Sequence, residues 1–261
     1  ARRVMQQKYK VLENIFLLKS KSIIYSLPGN YDMDLKYTSL HNRDLHLHWH
    51  TIGALKIAGY GSADVHTTGL PEKYILPYGA VDNNKNTNEM YVFFKAIRPD
   101  IIVTHQPAYG ILDFQPESGP VGSAVLRDYC ETYPLKMCLS GHVHRDWGVM
   151  YSSDIIFLNP SNFGTVTATS GEIVEGGFFF QIEIEDTSVE QVYLKKYFDH
   201  KIYDIAEYYF RENNFIEHIV DHERYNARKL RKNYDLKNDY YSHIPEIELF
   251  KDIKKFYRMF Q

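Results

Sequence analysis

Ile101-Ile102-Val103-Thr104-His105-Gln106-Pro107 and Met137-Cys138-Leu139-Ser140-Gly141-His142-Val143-His144 share one design. In each, a short apolar run of the kind that forms a strand buried on both faces delivers histidine at its C-terminal end. A helical pattern precedes each run, over 89–97 before the first and 123–132 before the second. Helix and strand in alternation imply a parallel sheet, and the fold class read from it is α/β. In open sheets of that class ligands bind beyond the carboxyl ends of the strands, which is where His105, His142 and His144 fall.

Toward the N-terminus, Met5, Tyr9, Leu12 and Phe16 recur at helical spacing and predict an amphipathic helix, followed by the apolar strand Ile23-Ile24-Tyr25. That strand runs into Leu27-Pro28-Gly29-Asn30-Tyr31-Asp32, a turn-rich stretch in which Gly29 has backbone angles open to it that other residues avoid. Leu55 to Ala58 reads as a further strand, and the Gly/Thr/Asn-rich passage reaching Asn88 as surface loop. Beyond the second histidine motif, Ile155 to Leu158, Phe178 to Ile184 and Val189 to Leu194 read as strands, the last two a hairpin about Asp186-Thr187-Ser188. From about Phe198 the pattern changes. Ile202, Ile205 and Tyr209, then Phe215/Ile216 and Ile219/Val220, keep helical spacing amid many charges, so residues 198–261 are predicted to be a helical extension of a domain spanning 1–197.

Composition narrows the function by exclusion. The chain has 261 residues, a formal net charge of -3 and 44% hydrophobic residues, so it can bury a core and has no electrostatic attraction to nucleic acid or anionic membrane. No apolar run is long enough to span a bilayer, the stretch after Arg2 and Arg3 lacks a signal-peptide pattern, and there are 2 cysteines. The expected location is cytoplasmic.

The chemistry sits in three segments of one type: Asn30-Tyr31-Asp32, Thr104-His105-Gln106-Pro107 and Gly141-His142-Val143-His144. Neutral imidazole suits Zn, Mn or Fe, and the carboxamide oxygen of Asn30 suits the harder of these, so the physical reading is a mixed N/O transition-metal site. Each segment alone has a plainer explanation, a hydrogen-bonded histidine or an ordinary Gly-Asn turn; the three together, each at a strand end, favour the metal site. His46, His48 and His50 alternate with Leu47 and Trp49 and would share one face of a strand, more simply a solvated surface than a metal site. Tyr and Phe are abundant but scattered and read as packing without a stacking platform for bases, and Lys229, Arg231 and Lys232 read as a solvated helix face.

The ordered set Gly29-Asn30-Tyr31-Asp32, Thr104-His105-Gln106-Pro107, Gly141-His142-Val143-His144 and Asn159-Pro160-Ser161 resembles the calcineurin-like metallophosphoesterase superfamily, over roughly residues 8–195. The resemblance implies two packed mixed β-sheets flanked by helices, an αββα sandwich, with two divalent transition metals (Mn, Fe or Zn) at the strand ends. It implies that Asn30, His105 and His142 hold one metal and His144 the other, and that phosphomonoesters or phosphodiesters are hydrolysed by a metal-bound hydroxide. The implied partner is a phosphoester substrate, with nucleic acid only as substrate; composition adds the expectation of no membrane partner, and the apolar spacing of the C-terminal helices the expectation that they either pack on the domain or mediate self-association. The sequence departs from the family in two ways. Tyr31 stands where the family has a histidine that assists the leaving group, and a phenol, with a reference pKa of about 10, is a poorer proton donor at neutral pH. Tyr31 and Asp32 remain the residues expected at that catalytic position. The family's opening Asp-X-His and Gly-Asp motifs, which belong before the first helix, are absent, so the chain is expected to be N-terminally incomplete. A catalytically inactive scaffold or binding protein is the alternative.

Overall fold

The structure is a computed structural model, and it describes residues 1–228 apart from 19–20, 64–69, 77–83, 116–117, 168–170, 172 and 212–213. In chain order it contains helix α1 (Arg2–Leu17), strands β1 (Trp49–Ile52) and β2 (Leu55–Tyr60), helix α2 (Glu89–Ile97) and strand β3 (Ile101–Thr104). A two-stranded ribbon, β4 (Phe114–Gln115) and β5 (Gly119–Pro120), leads to α3 (Ala124–Thr132), β6 (Met137–Leu139), β7 (Gly148–Ser152) and β8 (Ile155–Asn159). A second ribbon, β9 (Val166–Thr167) and β10 (Ile173–Val174), is followed by β11 (Phe178–Glu185), β12 (Ser188–Phe198), β13 (Lys201–Arg211), β14 (Asn214–Ile219) and α4 (His222–Arg228).

Six strands form the first sheet in the order β1-β2-β3-β6-β8-β7, with β2, β3, β6 and β8 parallel and an antiparallel strand at each edge. Its strands β3, β6 and β8 are apolar up to their C-terminal residues Thr104 and Asn159 because both faces are covered. Ile102, Cys138 and Phe157 point to one side, where they pack with Phe94 of α2 and Leu126 and Tyr129 of α3. Ile101, Met137, Ile156 and Leu158 point to the other and meet the second sheet. Each such side chain contributes about 1.5–3 kcal/mol by leaving water. The two helices start where their sequences cap them: Asn88 Oδ1 accepts from the Tyr91 N–H at 2.9 Å, and Ser123 Oγ from the Leu126 N–H at 3.2 Å.

The second sheet is an antiparallel meander, β11-β12-β13-β14, packed against the first through Phe178, Val192, Leu194, Ile205 and Tyr208. The architecture is thus α/β, two face-to-face sheets with α2 and α3 on the outer face of the first. Helix α1 stands apart from both sheets, its Tyr9 packed with Met33, Leu35, Leu40, Leu70 and Ile75.

Two expectations are corrected. Residues 201–211 and 214–219 are strands, not helices, and the sheet continues from β12 into β13 past residue 198. The helical spacing there comes from a β-bulge: Leu194 pairs with Ala206 and Lys195 with Asp204, so Ile205 is the extra residue on β13. The inward set therefore changes phase, with Ile205 and Ala206 both buried while Ile202 is exposed. The helices on which self-association was expected to depend are absent over 201–211 and 214–219. The rest of the predicted extension after α4, including Lys229, Arg231 and Lys232, lies outside the described residues. Ile23-Ile24-Tyr25 is not a strand; among the described residues the segment meets only a single bridge, Ser26 to Asp44, and Ile23 is left exposed.

Candidate metal centre

The C-terminal edge of β2, β3 and β6 gathers the predicted residues. The His105 N–H continues the β2–β3 ladder to the Tyr60 carbonyl at 3.3 Å, and the Gly141 N–H donates to the His105 carbonyl at 3.0 Å, which ties the end of β6 to the end of β3. The loop before β1 docks on the same edge, where Ser62 N–H donates to the Pro28 carbonyl at 2.8 Å. Asn30, 8% exposed, follows directly. Its Oδ1 lies 2.9 Å from His105 Nε2, and His142 Nδ1 lies 3.2 Å from the same nitrogen.

These separations decide whether the set fits a cation. Ligands about 2.1 Å from one metal stand about 3.0 Å apart at adjacent octahedral positions and about 3.4 Å apart in a tetrahedron. The 2.9 and 3.2 Å spacings match the edges of such a polyhedron. Burial, then the neighbouring imidazoles of His142 and His144, lower the His105 pKa to about 3; burial and His144 lower that of His142 to about 4. Both rings are neutral at neutral pH, the form that binds a metal. His144 lies close enough to act electrostatically on both, and its carbonyl accepts from Ser161 Oγ at 2.7 Å. Among the described residues no group of three or more His, Cys, Asp or Glu is gathered as a metal site; the set brought together is Asn30, His105 and His142, with His144 acting on both imidazoles.

Glycine acts here differently from the sequence expectation. Gly29 does not adopt a left-handed backbone; it supplies space, because a Cβ there would lie 2.7 Å from His105 Cε1. The left-handed residue of the Gly-His-Val-His turn is His142 itself, at φ 63. That conformation is held from beneath by Asn159, fully buried, whose Nδ2 donates to the Val143 carbonyl at 2.7 Å and the Asp146 carbonyl at 2.8 Å. Its Oδ1 accepts from the Ser161 N–H at 2.9 Å. Asn159 was quoted in a motif but given no role, and only its place after an apolar strand signalled one.

Tyr31 is 65% exposed beside Asn30. Asp32 turns away from it: Oδ2 accepts from the Gly29 N–H at 2.8 Å and Oδ1 from the Tyr9 hydroxyl at 2.7 Å, while that hydroxyl accepts from the Met33 N–H. Asp32 therefore shapes the Asn30 loop. His46, His48 and His50 do not share a face, because Leu47 is left-handed at φ 56 and β1 begins only at Trp49. His46 Nδ1 accepts from the Gly61 N–H at 3.0 Å at the end of β2, His48 bonds the His46 carbonyl, and His50 stacks on Tyr25. Nothing in their spacing distinguished His46, which secures the strand on which the Asn30 loop docks.

No described helix is long and apolar enough to cross a membrane. No curated protein matches the chain. Among solved structures, one crystal structure is 19% identical, with 67% of this chain and 75% of that one covered at a TM-score of 0.44. The crystal structure of wild-type Vps29 complexed with Zn2+ from Entamoeba histolytica is 13% identical, covers 65% of this chain at a TM-score of 0.26, and is itself spanned over 59% of its length. The calcineurin-like phosphoesterase family profile matches residues 5–146, just over half of the chain and inclusive of Asn30, His105, His142 and His144. The chain belongs to the calcineurin-like phosphoesterase family.

Proposed function

We propose that the protein is a metal-dependent phosphoesterase that hydrolyses phosphomonoesters or phosphodiesters at the C-terminal edge of the first sheet. The observation that carries this is the convergence of Asn30 Oδ1, His105 Nε2 and His142 Nδ1 at ligand-like separations. Asn30, His105 and His142 would hold one divalent transition metal of the Mn, Fe or Zn type and His144 a second. When bound, such metals neutralise charge on the phosphoryl oxygens and activate water. The protein's part is to keep the donors aimed without reorganisation: Gly29 leaves room for the His105 ring, Asn159 fixes the His142 turn, and Asp32 fixes the Asn30 loop. Tyr31, exposed and next to Asn30 in sequence, would be the residue whose hydroxyl donates a hydrogen bond to a departing oxygen.

The test is direct. Full-length protein titrated with manganese binds metal and cleaves aryl phosphates or aryl phosphodiesters, and His105→Ala and His142→Ala lose both properties. A protein that binds no transition metal and cleaves neither ester class sinks the reading. The phenol at Tyr31 favours a second reading, a phosphoesterase-like binding module, for which metal uptake without turnover is the expected result. Tyr31→His separates the two: in an enzyme it speeds esters with basic leaving groups roughly tenfold or more and leaves nitrophenyl esters unchanged.

A further inference from the structure

The turn that carries His142 and His144 is the connection from β6 to β7, and β7 is an edge strand, paired on one side only, with β8. Asn159, which faces Gly148 across that pair, holds the turn from beneath. The far end of the turn needs a hold of its own, because an edge strand opens from its single neighbour more readily than a central one. That hold is aromatic. Trp147, the residue before β7, is 4% exposed. Its ring stacks on Phe178 at the start of β11, with centroids 5.5 Å apart, and meets Tyr225 of α4 edge-on at 5.4 Å and 80°. Stacked and edge-to-face pairs of this kind attract beyond the area they bury.

Helix α4 is seated in turn by the bulge in β13. Ile205 is left out of the register with β12, and its carbonyl accepts from both the Val220 and the Asp221 N–H, at 2.9 and 3.1 Å, where the chain passes from β14 into α4. Asp221 Oδ1 then caps the helix by accepting from the Arg224 N–H at 2.9 Å, and the Arg224 guanidinium lies 4.1 Å from the centroid of the Tyr203 ring. Tyr225, 3% exposed, is thereby turned inward, with its hydroxyl donating to Glu217. Bulges re-aim what packs on them. This one sets a helix whose buried ring reaches Trp147, three residues along the chain from His144.

We propose that Tyr225 and Trp147 are positioning residues of the metal centre: the Tyr225 ring pins Trp147 and so fixes the His142–His144 turn, which makes α4 part of the support of a site built on the first sheet. This rests on the metal site proposed above. Calorimetric titration of the full-length protein with manganese tests it without relying on turnover. Tyr225→Ala is expected to weaken manganese binding about three- to tenfold, the range that one edge-to-face contact supplies. Tyr225→Phe, which keeps the ring and loses only the bond to Glu217, should bind as the parent does. In a Trp147→Leu protein, Tyr225→Ala should have no further effect. Val189→Ala controls for stability alone. Val189 is buried in the same core but pairs with Ile184, toward the opposite end of β11 from Phe178, so its loss should lower the unfolding temperature and leave manganese affinity unchanged. If Tyr225→Ala does not fold, Tyr225→Leu, which fills much of the space without the edge contact, replaces it with the same expectation. Parent-like affinity in the folded variant overturns this proposal alone, as does an equal loss in Tyr225→Phe or in Val189→Ala. A parent protein that binds no manganese removes the metal site and this proposal together.

Discussion

The loops at the C-terminal edge of the first sheet and the meander β11–β14 handle left-handed backbone in opposite ways. At the edge, Ser62, His142 and Ser161 are left-handed next to the candidate ligands, and the polar side chains of Asn30, Asn159 and Asn162 are buried. Among the described residues of the meander the left-handed ones are Asp186, Asp199 and His200, all in hairpin turns where the strand twist calls for them, and the buried set includes Val192, Leu194, Ile205 and Tyr208. A left-handed non-glycine residue costs about 1–2 kcal/mol wherever it occurs. In the turns that cost closes a hairpin; at the edge it aims an imidazole. The meander and the core it shares with the first sheet provide stability that the edge uses.

The sharpest way to break this contrast is in the meander. Ile205 is fully buried and Ile202 is 62% exposed, so Ile205→Ala should cost about 3 kcal/mol and Ile202→Ala under about 0.5 kcal/mol in urea denaturation. On a helix the two would share a face and lose comparable amounts, and equal losses would refute the bulged strand.

Next is pH. Burial lowers the His46 pKa to about 4; Asp34 opposes the shift, and His48 and Lys36 add to it. A histidine depressed below its unfolded value of about 6.5 contributes its stability above that pH and loses it as pH falls toward 4. From pH 7 to 5 this amounts to about 2 kcal/mol. His46→Gln should keep an acceptor for the Gly61 N–H and reduce the acid-induced loss by that amount; an unchanged pH dependence would show that His46 is not the titrating group.

At the edge itself the expected effect is smaller in energy and more specific. Gly29→Ala should lower manganese affinity about tenfold, about 1.4 kcal/mol, by displacing the His105 ring while the meander stays folded. Unchanged affinity would mean that the ring yields without moving Nε2.

The same contrast explains what the sequence made legible. The helices over 89–97 and 123–132 and the runs at 101, 137 and 155 were readable because buried parallel strands are apolar on both faces and their helices carry Asn88 and Ser123 as caps. His105 and His142 were readable because each follows such a run, and Asn30 because it sits in a Gly-Asn turn, although the segment before it is not a strand; the structure brings the three within hydrogen-bonding distance in a chain. The bulge at Ile205 was not, since one inserted residue turns a period of two into something that passes for a helix. Nor was the function of Asn159 or His46, whose partners are backbone groups distant in sequence that leave no trace in residue type or spacing.

The Tyr9 hydroxyl, bonded at once to Asp32 and to the Met33 amide, makes helix α1 a mechanical part of the Asn30 loop. Tyr9 is the one residue of α1 buried in the protein, and Asp32 is the carboxylate that closes the turn at Gly29. Any fluctuation that lifts α1 must therefore withdraw a donor from Asp32 and a supporting acceptor from Met33, so helix undocking and loosening of the Asn30 turn form one cooperative opening. The lifetime of a correctly aimed Asn30 oxygen is then governed by a helix surface remote from the imidazoles, and a partner that gripped α1 would tune the site without approaching it.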